Sequence, residues 1–288
     1  MRRLAPALTA VALFSLLAAC GDDVPEAGED PTVEVEEAGA DDGRISFELD
    51  LEEGYQERTV ITTQQTLDAA GQTIDVPPIE ITQLSEVTGV DGDEITVEQT
   101  FEEVRALEGG DETTRAALES TLAQLRGTSG TLTFDRSGQV VDTDFELPDG
   151  VDPAIEQTFD QVLEQASSIG AVFPDEELGE GATWTLRSTL ELNGIEVEQT
   201  ATYTLESLQG EDYEVSVEIE QDYQEGDVAG GSIKGGTGTT TGTITGTAGT
   251  LLPTSAELDG DTEVQAEQGG SEQTVSTQTS ITIESEVL

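Results

Sequence analysis

The sequence predicts a mainly β protein of the β-rich α+β kind, a curved antiparallel sheet or half-open barrel of about 11–12 strands with two helices. Three observations predict it. From Arg44 onward, apolar and polar residues alternate with period two through most of the chain, the pattern of strands with one wet face. Glycine-containing dipeptides divide these runs where hairpin turns are needed. Only residues 111–126 and 153–169 change to helical spacing. So many strands do not stay comfortably flat, so the sheet should curl and cover its concave face with a helix.

In chain order, residues 1–19 begin with Arg2 and Arg3, run apolar from Leu4 through Leu17, and end on Ala18-Ala19. A charged start, a short apolar run and small residues before a cut make a secretory signal peptide, too short to be a comfortable membrane span. Leu17-Ala18-Ala19-Cys20 resembles the lipobox of bacterial lipoproteins at all four positions. That resemblance implies cleavage before Cys20, acylation of its sulfur, and anchoring to the cell membrane on the extracytoplasmic side. The plainer readings are an ordinary signal peptide beside an incidental cysteine, or a cysteine buried in the fold. Residues 20–42 then read as the lipidated Cys20 and an acidic, disordered tether. They are rich in Asp and Glu, carry no basic residue and lack apolar periodicity, so they should stay solvated and reach about 70 Å at most.

Residues 43–150 form a first β half. Ile95, Val97, Gln99 and Phe101 alternate with polar neighbours. Its helix, 111–126, begins at Asp111 as N-cap, lines Leu118, Leu122 and Leu125 along one face, and stops at Gly127. Residues 151–181 connect the halves. There Asp152 caps and Pro153 opens a helix, 153–169, striped by Ile155, Phe159, Val162, Leu163, Ala166 and Ile169. It reads either as a helix packed on the sheet or as a movable lid. Residues 182–288 form a second β half, with Ile195, Val197, Gln199, Ala201, Tyr203 and Leu205 on one face and Val215, Val217, Ile219, Gln221 and Tyr223 on the next. Expected turns are Ala70-Gly71, Asp91-Gly92, Ser137-Gly138, Asn193-Gly194, Asp259-Gly260 and Gly269-Gly270. Residues 130–147 echo 242–258, and Ile95-Thr96-Val97-Glu98 echoes Val215-Ser216-Val217-Glu218. This reads as an internal duplication, with helix 111–126 matched by a Gly/Thr-rich excursion at 226–241 and a last hairpin near 261–286.

Composition excludes several chemistries. The chain has one cysteine, no histidine, and no methionine beyond Met1, so soft-metal, haem and iron–sulfur sites lack their ligands. Histidine-dependent triads and HExxH sites cannot be assembled. With 62 acidic residues against 10 basic ones, a net charge of −52, the protein would repel nucleic acid and anionic lipid surfaces. Such a charge suits a saline or cation-rich setting, where counterions screen self-repulsion. No cofactor is expected.

The remaining motifs are weak. Gly230-Gly231-Ser232-Ile233-Lys234-Gly235 lacks the Gly-Lys-Ser/Thr helix start of a phosphate loop. Asp91-Gly92-Asp93-Glu94 and Asp259-Gly260-Asp261 offer oxygens to calcium but not the EF-hand spacing, and both read first as turns. A paired-carboxylate hydrolase would want aromatic platforms, and aromatics make up only 4% of the chain; the expectation is no enzyme.

The lipobox at Cys20, the strand-turn-strand Thr131-Leu132-Thr133-Phe134-Asp135-Arg136-Ser137-Gly138, and Pro174 through Gly181-Ala182-Thr183-Trp184 together resemble uncharacterised bacterial envelope lipoproteins. The architecture is similar to the LolA/LppX-type carriers. That resemblance implies a curved antiparallel sheet and a helical lid around an apolar cavity that takes a lipid. Two functions therefore stand as expectations. One is a non-catalytic membrane-anchored protein binding an apolar or lipid ligand. The other is a structural or protein-interaction module of the envelope, with a solid core, no ligand and an unidentified protein partner.

Overall fold

The structure, a computed structural model, describes residues 32–147, 173–192, 194–228, 231–268 and 270–288. Cys20, the leader and the expected helix 153–169 lie outside the described residues.

Thirteen strands form one antiparallel sheet. They are β1 (Thr32–Glu37), β2 (Gln56–Ala69), β3 (Gln72–Asp91), β4 (Glu94–Ala106), β5 (Ser129–Phe134), β6 (Val140–Glu146) and β7 (Thr183–Leu192). The remainder are β8 (Ile195–Gln209), β9 (Asp212–Tyr223), β10 (Gly226–Val228), β11 (Gly231–Thr247), β12 (Ser255–Gln268) and β13 (Ser271–Val287). The order is β1-β7-β8-β9-β11-β12-β13-β2-β3-β4-β5-β6, with β10 beside β11. The chain thus enters mid-sheet at β2 and meanders out to β6. It resumes at β7 near the opposite edge and meanders back until β13 pairs with β2, placing Ile283 opposite Ile61. The sheet is not closed; β1 and β6 are its edges. The surplus over the expected strand number comes from β1, drawn from the stretch assigned to the tether, and the short β10.

Strand formation follows the alternation. In β8 the burial of Ile195, Val197, Ala201, Tyr203 and Leu205 alternates with exposed or half-buried polar residues. Cross-strand register then stacks Trp184 opposite Tyr203 and Tyr203 opposite Val217 on one face, the pairing that stabilises a sheet.

The sheet curls. Phe47, between β1 and β2, packs edge-on to Tyr213 of β9 at 5.5 Å between ring centroids. Two residues on, the Leu49 N–H donates to the Arg136 carbonyl in the β5–β6 turn at 2.7 Å. Two extended residues span about 7 Å, whereas β9 and β5 would lie about 33 Å apart across a flat sheet in this order. Glycines on the inner face of β11 help it bend. A Cβ on Gly242 would meet the Leu258 side chain at 2.6 Å, so only glycine lets the neighbouring strand's leucine lie across β11.

Two sequence expectations are corrected here. Asp259-Gly260 is not a turn but the middle of β12, with Gly260 opposite Thr240 and Thr279. Its glycine admits the Thr240 side chain, 2.6 Å from where a Cβ would stand; close strand packing, not chain reversal, is the reason for it. Likewise 226–241 is no excursion. It contains β10 and most of β11, which pairs with β9 and β12 along its length.

Among the described residues one helix is present, α1 (Glu112–Leu122). Asp111 caps it, its carboxylate accepting from the Thr113 and Thr114 N–H groups at 3.0 and 3.1 Å. These bonds, that from Thr114 foremost, hold the Asp111 carboxyl below the usual range. Leu118 and Leu122 pack on Val104 of β4. The helix ends about a turn before the expected 126. From Gln124 the N–H groups reach back only three residues, to Thr121 and Leu122, a tightening that ends α-geometry. Gly127 then turns the chain at φ +79°.

Candidate functional site

Residues 44–55 cross the inside of the curled sheet as a strap. Ile45, Phe47, Leu49 and Leu51 alternate with Ser46, Glu48 and Asp50, and the apolar set points inward. Ile45 and Leu178 exchange backbone hydrogen bonds at 3.0 and 2.9 Å. Phe47 stacks on Phe173 at 4.2 Å, and Trp184 stacks on Tyr203 at 5.3 Å. This cluster belongs to the second half, with Leu178, Leu186, Leu205, Val215 and Val217. Leu49 and Leu51 instead join Val87, Ile95 and Val97 of the first half. The strap therefore fills the turn end of the sheet and ties both halves together.

Where the strap enters β2 it sets a carboxyl in this interior. Glu57 is 1% exposed. The Tyr55 hydroxyl donates to Glu57 Oε2 at 2.7 Å, and the Thr59 and Ser285 hydroxyls lie 3.0 Å apart alongside. Directly across the β2–β3 ladder stands Ser85, also 1% exposed. Glu57 Oε1 and Ser85 Oγ are both buried without a hydrogen-bond partner. Burial raises the Glu57 pKa, against the opposing hydrogen bonds from Tyr55, the Leu252 N–H and Ser285. The same burial, reinforced by the bond to Glu57, pushes the Tyr55 phenol up. Tyr213 is raised by burial and by the nearby Glu57 charge, while burial alone pushes Tyr203 up to about 12.

Sequence reasoning passed over Glu57. The signal was present, since Glu57, Thr59 and Ile61 share one face of β2 by period two, so a strand with Ile61 inward turns Glu57 inward too.

The other sequence candidates scatter. Asp91-Gly92-Asp93 forms the expected β3–β4 turn and is engaged by Arg136, which donates to the Gly92 carbonyl at 3.1 Å and pairs with Asp93 at 3.5 Å. Asp261 in β12 accepts from Gln278 at 3.0 Å. Among the described residues no group of three or more Asp, Glu, His or Cys could hold a metal ion. Lys234 pairs with Glu225 and Glu267, each at 3.5 Å. It lines an open groove of about 480 Å³ with Asp222, Tyr223, Glu263 and Gln265. A smaller depression of about 230 Å³ lies by Gln209, Asp212 and Thr245. Neither is an apolar cavity. The outer face of β9, β11 and β12 is a regular array, in which Thr239 lies between Glu220 and Asp261 and Thr241 between Glu218 and Asp259.

Among the described residues no helix is long and apolar enough to cross a membrane. No family model matches the chain, and no curated protein matches it. Among solved structures, it is similar to Ail, the attachment invasion locus protein of Yersinia pestis, at 7% identity over 82% of this chain and all of that one, with a TM-score of 0.17. It is likewise similar to an outer-membrane channel from Pseudomonas putida F1, at 11% identity over 86% of this chain and all of that one, with a TM-score of 0.16. The expected likeness to LolA/LppX-type carriers is thereby corrected: the neighbours found are an attachment invasion locus protein and an outer-membrane channel, not carriers of that type, and scores this low carry no argument about function.

Proposed function

We propose that this protein is a non-catalytic, extracytoplasmic module of the cell envelope, held at the membrane by a lipid on Cys20, with a solid core and an acidic outer face that meets its partner. The strap supports this reading over a ligand carrier. Phe47, Leu49 and Leu51 occupy the turn end of the curled sheet with their own side chains, where a carrier of apolar cargo would keep open volume. The grooves of the described surface are polar and acidic, suited to solvent and counterions rather than to acyl chains. The anchor rests on the sequence of residues 17–20.

Two measurements test it. Growth with labelled palmitate should label the protein, and Cys20→Ser should abolish the label and release the protein from the membrane fraction. Native mass spectrometry of detergent-extracted protein should give the mass of the acylated chain alone. A stoichiometric lipid bound in addition to the covalent one would overturn the solid-core reading in favour of a carrier.

A further inference from the structure

We propose that residues 46–53 of the strap form a plug that opens separately from the sheet, and that Arg136 is the latch that holds it shut. The segment is pinned at both ends. Ile45 exchanges backbone bonds with Leu178. At the other end the Gly54 N–H donates to the Val87 carbonyl at 2.8 Å, and the Tyr55 carbonyl accepts from the Val87 N–H at 2.9 Å. Between these pins, among the described residues, three hydrogen bonds tie the backbone of the plug to the rest of the chain. The Leu49 N–H donates to the Arg136 carbonyl at 2.7 Å, Arg136 Nη1 donates back to the Leu49 carbonyl at 3.2 Å, and the Asp50 N–H donates to the Gly249 carbonyl at 3.2 Å. The plug is thus sparsely bonded beside the ladders around it, the kind of segment that opens below global unfolding. Gly54, at φ +91° with open space where a Cβ would stand, supplies a hinge.

Two of the three bonds belong to Arg136, and the turn that carries it is braced. The Asp135 carboxylate accepts from the Ser137 hydroxyl at 2.6 Å and from the Gln139 N–H at 3.0 Å, and the Gly138 N–H donates to the Asp135 carbonyl at 3.0 Å. This fixes the β5–β6 turn, so that the carbonyl and the guanidinium of Arg136 reach the same residue of the plug. The other arm of the guanidinium, Nη2, donates to the Gly92 carbonyl in the β3–β4 turn at 3.1 Å. One rigid fork therefore joins two turns and the plug, a geometry that a lysine ammonium does not reproduce. The pair with the exposed Asp93 adds little. What the latch closes over is apolar. Leu49 and Leu51 pack with Val87, Ile95 and Val97, and Phe47 lies against Phe173 and Tyr213. Release turns these faces to solvent, so the closed form is the resting one.

The test is native-state hydrogen exchange on the full chain in urea too dilute to unfold it. Asp50 is the informative amide, since its acceptor, the Gly249 carbonyl, is not part of Arg136. In the wild type, Leu49 and Asp50 should exchange through one shared opening, with a weaker urea dependence than Val215 and Val217 in β9. Arg136→Gln should speed both by about tenfold or more, the worth of hydrogen bonds from a charged group, and leave β9 unchanged. Plug amides that follow β9 at every urea concentration would overturn the separate opening. Acceleration of Leu49 alone, of neither amide, or of all amides alike would overturn the latch. Should Arg136→Gln fail to fold, the wild-type exchange still decides the opening. Arg136→Lys, which keeps the charge and loses the fork, should then speed Asp50 in the same direction, and an unchanged Asp50 would overturn the latch.

Discussion

Phe47 and Glu57, ten residues apart in the strap and the start of β2, bracket the chemistry of the interior. Phe47 lies against Phe173 and Tyr213 and is 6% exposed. Phe47→Ala should cost about 3–5 kcal/mol of stability, the range for removing a buried phenyl ring. A shift in the urea unfolding midpoint would measure it, and a cost below about 1 kcal/mol would mean that the cluster collapses to fill the space. Glu57 is legible through pH. Its folded pKa is raised by burial, so its contribution is fully present below the unfolded carboxylate value and is lost as pH rises through the folded one. Glu57→Gln should therefore remove that part of the pH dependence and gain on the wild type as pH rises from the unfolded carboxylate value through the folded one. Parallel thermal melts across pH would reveal it; an unchanged difference at every pH would count against the raised value.

At the scale of elements, the strap is held by a back-to-back pair of glycines. Gly39 has φ +75°, and a Cβ there would sit 2.7 Å from the Ala182 N and against the Gly179 carbonyl. Beside this contact the Ala40 N–H donates to the Glu180 carbonyl at 2.9 Å. Gly39→Ala should thus unseat β1 and the start of the strap together, with backbone strain of about 1–3 kcal/mol added to the steric clash. Amide hydrogen exchange should then speed up in β1 and at Ile45 while the β8–β9 hairpin stays protected. Uniform acceleration would mean that the strap unfolds only with the whole sheet. The same scale explains what the sequence left hidden. β1 reads as tether because Glu34, Glu36 and Glu37 crowd it, yet charge suits an edge strand, where it discourages pairing with another chain. Val33 and Val35 supply its inner face beside Leu186 and Trp184.

For the whole molecule, charge is the governing term. The net of −52 is spread over strand faces, and on β9 and β12 the outward carboxylates flank the threonines of β11 row by row. Their mutual repulsion is screened by salt. The thermal midpoint should climb by several degrees between about 0.05 M and about 1 M NaCl, as the screening length shortens to about 3 Å. A midpoint that stays flat would mean the compact state carries its charge without penalty.

The residue alternation by itself determined the strands, most of the hairpin turns and the cap of α1, because period two and turn chemistry are local properties. Composition by itself removed soft metals and histidine chemistry from consideration. Only the tertiary structure decided that β13 closes onto β2, that the Gly/Thr tract is a bending strand inside the sheet, and that Asp259-Gly260 lies mid-strand. Strand neighbours and curvature depend on which distant backbones share hydrogen bonds, and no local pattern records that. Glu57 belongs to the same class. Period two gives its face, but its burial comes from a strap and a loop at Leu251 and Leu252 that reach it only once the sheet has curled.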